Sequence, residues 1–116
     1  MVRICSLAMF VLASFNPAAG QLVTVDGSHL MKYCGALDVR KQVEDRANKS
    51  GYCLGYLRAI ANMQKVACIG PSADMDQIAA VFIRYMRNYP ERWHLPAHSL
   101  AEEAFAQAYS CQPRQH

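Results

Sequence analysis

The chain has 116 residues, with twelve Lys or Arg against nine Asp or Glu and a net charge of +3. That length holds one domain and no more. The charge bias is too weak, and the basic residues too scattered, for a nucleic-acid surface; an apolar N-terminal run inflates the 53% hydrophobic content, but the rest of the chain still reads as globular and not disordered.

The first twenty residues read as a secretory signal peptide, outside the domain. Met1-Val-Arg3 is a short positive start, Ile4 to Phe15 is an apolar run, and Asn16 to Gly20 supplies the small residues that a signal peptidase reads. The run is too short to anchor the chain, since spanning a bilayer takes ~20 residues. Cleavage is expected after Gly20, which leaves a single domain over 21–116; losing Arg3 takes the charge from +3 to +2. Cys5 goes with the leader.

Gln21 to Val25 is a short extended lead-in. Asp26 or Ser28 caps a first helix carrying Leu30, Tyr33, Cys34 and Leu37 at helical spacing. Asp38 to Lys49 is the most charged stretch and reads as a solvated connection, with one helical turn at most around Val39–Val43. A second helix is predicted from about 51 to 66, capped by Asn48 or Ser50, with Cys53, Tyr56, Leu57, Ile60, Met63 and Ala67 as its apolar stripe. Gly51 and Gly55 suit close packing against a neighbour. Gly70-Pro71 ends the helix, because proline cannot continue one.

Asp74 with Gln77 three residues on forms a capping box for a third helix over 75–88. Met75, Ile78, Ala79, Phe82, Tyr85, Met86 and Tyr89 make its buried face, and Arg84, Arg87 and Asn88 face water. Pro90 stops it. Pro96 suits the first turn of a fourth helix. That helix buries Ala97, Leu100, Ala101, Ala104, Phe105 and Ala108 and turns Glu102, Glu103 and Gln107 outward. Tyr109-Ser-Cys111 closes it, and Gln112 to His116 is a polar tail. No strand pattern occurs. The expectation is a small all-α four-helix bundle.

Four cysteines follow the leader: Cys34, Cys53, Cys68 and Cys111. An even number in an exported chain implies two disulfides, and no C-x-x-C pair offers a zinc site. On one continuous helix Cys53 and Cys68 would stand roughly 22 Å apart, whereas a disulfide needs α-carbons within ~7 Å. Of the two remaining pairings, up-down packing favours Cys34–Cys53 with Cys68–Cys111.

Little here supports catalysis. A nucleophilic cysteine needs a free thiolate beside a base, and each cysteine after the leader has a structural use. His94 and His98 have ligand spacing, but Pro96 between them spoils the helix geometry and no third ligand is evident. Glu102 and Glu103 are adjacent, so they diverge on a helix and read as a solvated face. No enzyme, cofactor or metal is expected. The turn over 88–95 gathers Tyr89, Arg92, Trp93 and His94, and Tyr, Trp and Arg are enriched at binding hot spots. Trp93 either joins such a surface or folds back to plug the end of a thin core. The sequence leaves both open.

The ordered motifs resemble those of the Rap1a/Tai immunity proteins. Tyr52-Cys-Leu-Gly-Tyr-Leu-Arg-Ala-Ile-Ala-Asn62 resembles their C-x-G-Y-[IL]-x-G-x-x-D core, with Ala59 for the second glycine and Asn62 for the aspartate. Cys68-Ile-Gly-Pro71 resembles their cysteine-to-proline turn. Gln77 to Glu91 resembles their Q-[LI]-x-x-V-x-x-Y-[LM]-x-x-x-P-E helix and turn, and Ala104 to Cys111 their closing A-[LF]-x-x-A-[FY]-P-C, with Ser110 for the proline. The resemblance covers Cys34 to Cys111. It implies a periplasmic, homodimeric immunity protein that binds and occludes a peptidoglycan amidase effector of type VI secretion. The same scaffold could instead serve a periplasmic helical binding or chaperone-like protein, because fold does not dictate function.

Overall fold

The computed structural model describes residues 24–112, so the expected leader and the last four residues of the tail lie outside them. The described chain forms four α-helices: α1 (Gly27–Cys34), α2 (Arg46–Met63), α3 (Met75–Asn88) and α4 (Ala97–Ala108). Short 3-10 turns follow α1 at Gly35–Leu37 and α3 at Pro90–Arg92. Helix α1 packs mainly on α2, and α3 on α4, with α2 touching all three others. The all-α expectation is borne out. No helix among the described residues is long and apolar enough to cross a membrane.

Asp26 caps α1, its carboxylate accepting from the backbone N–H of His29 at 2.7 Å. The start of this helix is fastened to the far end of the chain. Gly27 N donates to Leu95 O at 3.0 Å, Ser28 N to Trp93 O at 2.9 Å, and Ala97 N to Val25 O at 2.7 Å. A Cβ on Gly27 would lie 2.6 Å from Met86 Cε, 2.7 Å from Leu100 Cδ1 and 2.9 Å from Trp93 O. Only glycine lets the backbone come so close to α3, α4 and the turn between them. The glycines expected to serve this purpose do not: Gly51 and Gly55 are exposed, and a Cβ on either would meet nothing within 4 Å.

Helix α2 begins at Arg46 and ends at Met63, earlier at both ends than the predicted 51 and 66. Neither Asn48 nor Ser50 is its cap. Asp45 precedes the first turn in the left-handed region (φ 56°), and its carboxylate accepts from Asn48 Nδ2 at 2.9 Å instead of from the backbone. Gly70-Pro71 does not end the helix either; Gln64 does. Its Oε1 accepts from Val66 N (2.8 Å) and Ala67 N (2.7 Å), while its Nε2 donates to Ala67 O (3.1 Å). One amide thus satisfies backbone groups that a continuing helix would have paired. Met63, expected in the stripe, is 76% exposed, whereas Cys53 and Leu57 are fully buried.

Helix α3 has its predicted limits. Asp74 Oδ1 accepts from Gln77 N at 2.8 Å and Gln77 Oε1 accepts from Asp74 N at 3.2 Å, which is the expected capping box. Ile78, Ala79, Phe82, Tyr85 and Met86 are buried. In α4, Ala97, Leu100, Ala101, Ala104 and Phe105 are buried, but Ala108 is exposed. Leu30, Leu57, Phe82, Met86, Leu100 and Phe105 fill the centre, each contributing ~1.5–3 kcal/mol by leaving water.

Both expected disulfides are present. Cys34–Cys53 joins the end of α1 to α2 with α-carbons 5.0 Å apart, and Cys68–Cys111 joins the α2–α3 connection to the chain end at 4.9 Å. Because α2 stops at Met63, Cys68 lies beyond the helix, so the pairing follows from packing rather than from one rigid rod.

Candidate interaction surface

The turn after α3 brings Tyr89, Arg92 and Trp93 together, turned largely toward the protein. Trp93 Nε1 donates to Met86 O at 2.6 Å, and its ring is half-buried. Tyr89 packs on Tyr85 with ring centroids 4.8 Å apart. Arg92 Nη2 donates to Glu103 Oε1 at 2.8 Å, and the Tyr85 hydroxyl donates to the other oxygen of the same carboxylate. Burial, and then the Glu103 carboxylate beside it, pushes the Tyr85 phenol up to about 12. Glu103 is thus partly solvated but committed. It is the acceptor that locks the turn onto α4. His94 is the exposed member of the four.

A second feature lies at the opposite end of α1, in the stretch expected to be a solvated connection. Residues 38–41 form a turn whose backbone is held from both sides. Arg40 donates from its backbone N and its Nε to Asp38 Oδ1 at 3.1 and 3.0 Å, and from Nη2 to Asp38 Oδ2 at 3.1 Å. Hydrogen bonds from Arg40 hold the Asp38 carboxyl down at about 2, so it stays charged well into acid. From below, the Arg46 guanidinium donates to the carbonyls of Ala36, Asp38 and Lys41. The Cys34–Cys53 bridge anchors the base. At the tip, Val39 is 84% exposed.

An apolar side chain presented on a braced turn suits insertion into a partner, because little ordering cost remains on binding. Sequence reasoning missed it because a single valine among charges has no periodicity. The available signal was the Asp38-x-Arg40 pair with Arg46 in the first turn of a helix, an arrangement that organises carbonyls rather than a core.

An aromatic strap crosses α1 and α2 on their outer side. His29 and Tyr33 lie 5.1 Å apart, Tyr33 stacks on Tyr52 at 4.2 Å, and Tyr52 faces Tyr56 at 6.5 Å. Its ring faces are used on one another, so it braces the helix pair. Among the described residues no group of three or more His, Cys, Asp or Glu converges on a point where a metal could sit, and His94 and His98 are both exposed.

The family model described as Rap1a immunity proteins matches residues 26–111. No curated protein and no solved structure gives a match. The matched span runs from the Asp26 cap to Cys111, taking in all four helices and both disulfides. A match over that much of a fold whose braced surfaces suit binding a partner protein means that this chain belongs to the Rap1a immunity protein family.

Proposed function

We propose that this chain is an exported immunity protein that works in the periplasm, where it binds and occludes a peptidoglycan amidase delivered by type VI secretion. The family supplies the immunity role. The leader-like segment over 1–20 and the paired cysteines support an oxidising compartment outside the cytoplasm. The observation that carries the occlusion reading is Val39, raised on a turn that Arg40, Arg46 and the Cys34–Cys53 bridge hold rigid. Such a tip can enter a hydrolase cleft and cover its nucleophile without itself doing chemistry. Tyr89, Arg92, Trp93 and His94 form the second contact in this reading, with His94 meeting the effector and the other three holding the turn in shape. A homodimer would present two tips to the effector.

The test is capture and inhibition. The chain, exported with its own leader and tagged at its C-terminus, is used to pull down envelope and secreted proteins of its source. One stoichiometric cell-wall hydrolase, inhibited by the chain and released by Val39→Asp with an unchanged melting temperature, is the expected result. Many substoichiometric envelope proteins, with no hydrolase inhibited, would favour the chaperone-like reading instead. Sedimentation equilibrium of the purified chain checks the dimer.

A further inference from the structure

A groove of about 1440 Å³, open to solvent, runs along α1 and α3 and the segment over 34–41. That exceeds the ~300–1,000 Å³ typical of a small-molecule pocket. Met31, Ala79, Ala80 and Ile83 lie along it, small or apolar throughout. Trp93 lines the end where it accepts from Ser28 N, and the braced turn over 38–41 lines the end where α1 runs out.

The charge around this cleft is one-sided. Six cationic residues line it against three acidic ones. Two of the acids are already engaged: Asp26 caps α1 and Asp38 pairs with Arg40. Among the cations, Arg40 is used on Asp38 and Arg46 on the loop carbonyls. Among the described residues, Lys32, Lys41, Arg84 and Arg87 take part in no ion pair, and all four are exposed. Of these only Lys41 acts on an acid of the cleft, Asp38, which leaves Lys32, Arg84 and Arg87 along the groove with Asp76 the one carboxylate that neither caps α1 nor pairs with Arg40.

An apolar floor with a cationic rim is complementary to a segment carrying an apolar side chain flanked by carboxylates. A second copy of this chain fits poorly, because a two-fold contact would set the cationic rim against itself. We propose that the cleft between α1 and α3 is the docking groove for an acidic segment of the effector protein. Carboxylates of that segment meet Lys32, Arg84 and Arg87, and an apolar side chain of it rests on Met31, Ala80 and Ile83. The proposal rests on the immunity reading and adds the chemistry of the partner surface, beside the Val39 tip.

Two measurements test it. In the first, the ¹⁵N-labelled chain is titrated with a capped helical peptide of alternating glutamate and leucine pairs, and separately with its glutamine counterpart. The acidic peptide is expected to shift the amides of Lys32, Ala80, Ile83 and Arg84. Its Kd should rise about tenfold between about 50 and about 300 mM NaCl, as expected for screened surface charges. Arg84→Glu with Arg87→Glu should abolish the shifts, while Arg58→Glu, exposed on α2 outside the cleft, should leave them intact. Equal binding of the glutamine peptide, shifts elsewhere, or a double variant that binds as the parent does would overturn the proposal.

In the second, the double variant is assayed against the captured hydrolase. A loss of affinity of tenfold or more, at an unchanged melting temperature, supports the groove. Undiminished, salt-insensitive inhibition overturns it while the immunity reading stands. Acidic-peptide binding in the groove without any hydrolase to inhibit would support the groove's chemistry and defeat the immunity reading. A dimer that dissociates on Arg84→Glu with Arg87→Glu would assign the groove to a second copy and overturn the effector docking.

Discussion

The two disulfides hold the molecule in different ways. Cys34–Cys53 closes a separation of 19 residues inside the core, and both cysteines are essentially without solvent contact. Cys68–Cys111 closes 43 residues at the surface, with both cysteines exposed. In the chain-entropy account the longer closure restrains the unfolded chain more, ~4 against ~3 kcal/mol. Burial reverses the ranking in the folded state. The inner bridge fills core volume and anchors the Val39 turn, whereas the outer one ties down an end that also has the Cys68 N to Tyr109 O hydrogen bond at 2.8 Å. A staple's worth therefore depends on what packs around it as well as on the length of chain it closes.

The sharpest way to break the comparison is to remove each bridge. Cys53→Ser should cost ~3–5 kcal/mol, since it loses the bridge and leaves unpaired polar groups in the core. Cys111→Ser should cost less, ~2 kcal/mol, because the freed end is already solvated. Urea denaturation of both variants in oxidising buffer checks the order; a larger loss for Cys111→Ser would mean that chain entropy alone sets the outcome. In the same spirit, mild dithiothreitol should open Cys68–Cys111 first, read by alkylation and peptide mapping.

The turns beside the two bridges give effects no larger than the loss of the inner bridge. Arg46→Ala removes a charged donor from the Ala36, Asp38 and Lys41 carbonyls and should cost ~1.5–3 kcal/mol. Amide exchange should rise across 38–41 and partner binding should weaken. Gln64→Ala, at the other end, should cost ~1 kcal/mol, with faster exchange confined to Val66 and Ala67.

The smallest effect is a pH response at the Val39 turn alone. The Asp38 carboxyl titrates at about 2 in the fold against 3.8 ordinarily. Its stabilising contribution is therefore present above pH ~4 and is lost as pH falls toward ~2. The protection of the Arg40 and Lys41 amides, relative to their intrinsic exchange at each pH, should fall over that window in the parent and be flat in Asp38→Asn.

Much of the fold was legible because its signals are local. The limits of α3 follow from a three-residue capping reciprocity between Asp74 and Gln77, and the buried face from helical spacing. The cysteine pairing came out as expected, although the premise did not hold: Cys53 lies inside α2 and Cys68 beyond its end. The candidate surface was only half legible. Tyr89, Arg92 and Trp93 do cluster, but Glu103 accepts from Arg92 of the turn and from Tyr85 of α3, and an acid on a helix gives no sign of which distant donors will reach it.

What the amino-acid sequence determined by itself was the helical class and the α3 boundaries, since each depends on neighbours a few residues away. What only the tertiary structure decided was the role of Arg46, which serves carbonyls five to ten residues behind it, and of Gly27, whose missing Cβ matters only because Met86, Leu100 and Trp93 converge there. The cationic cleft belongs with them. Lys32 lies on α1 and Arg84 and Arg87 on α3, and their charges add only because packing sets those helix faces along one groove.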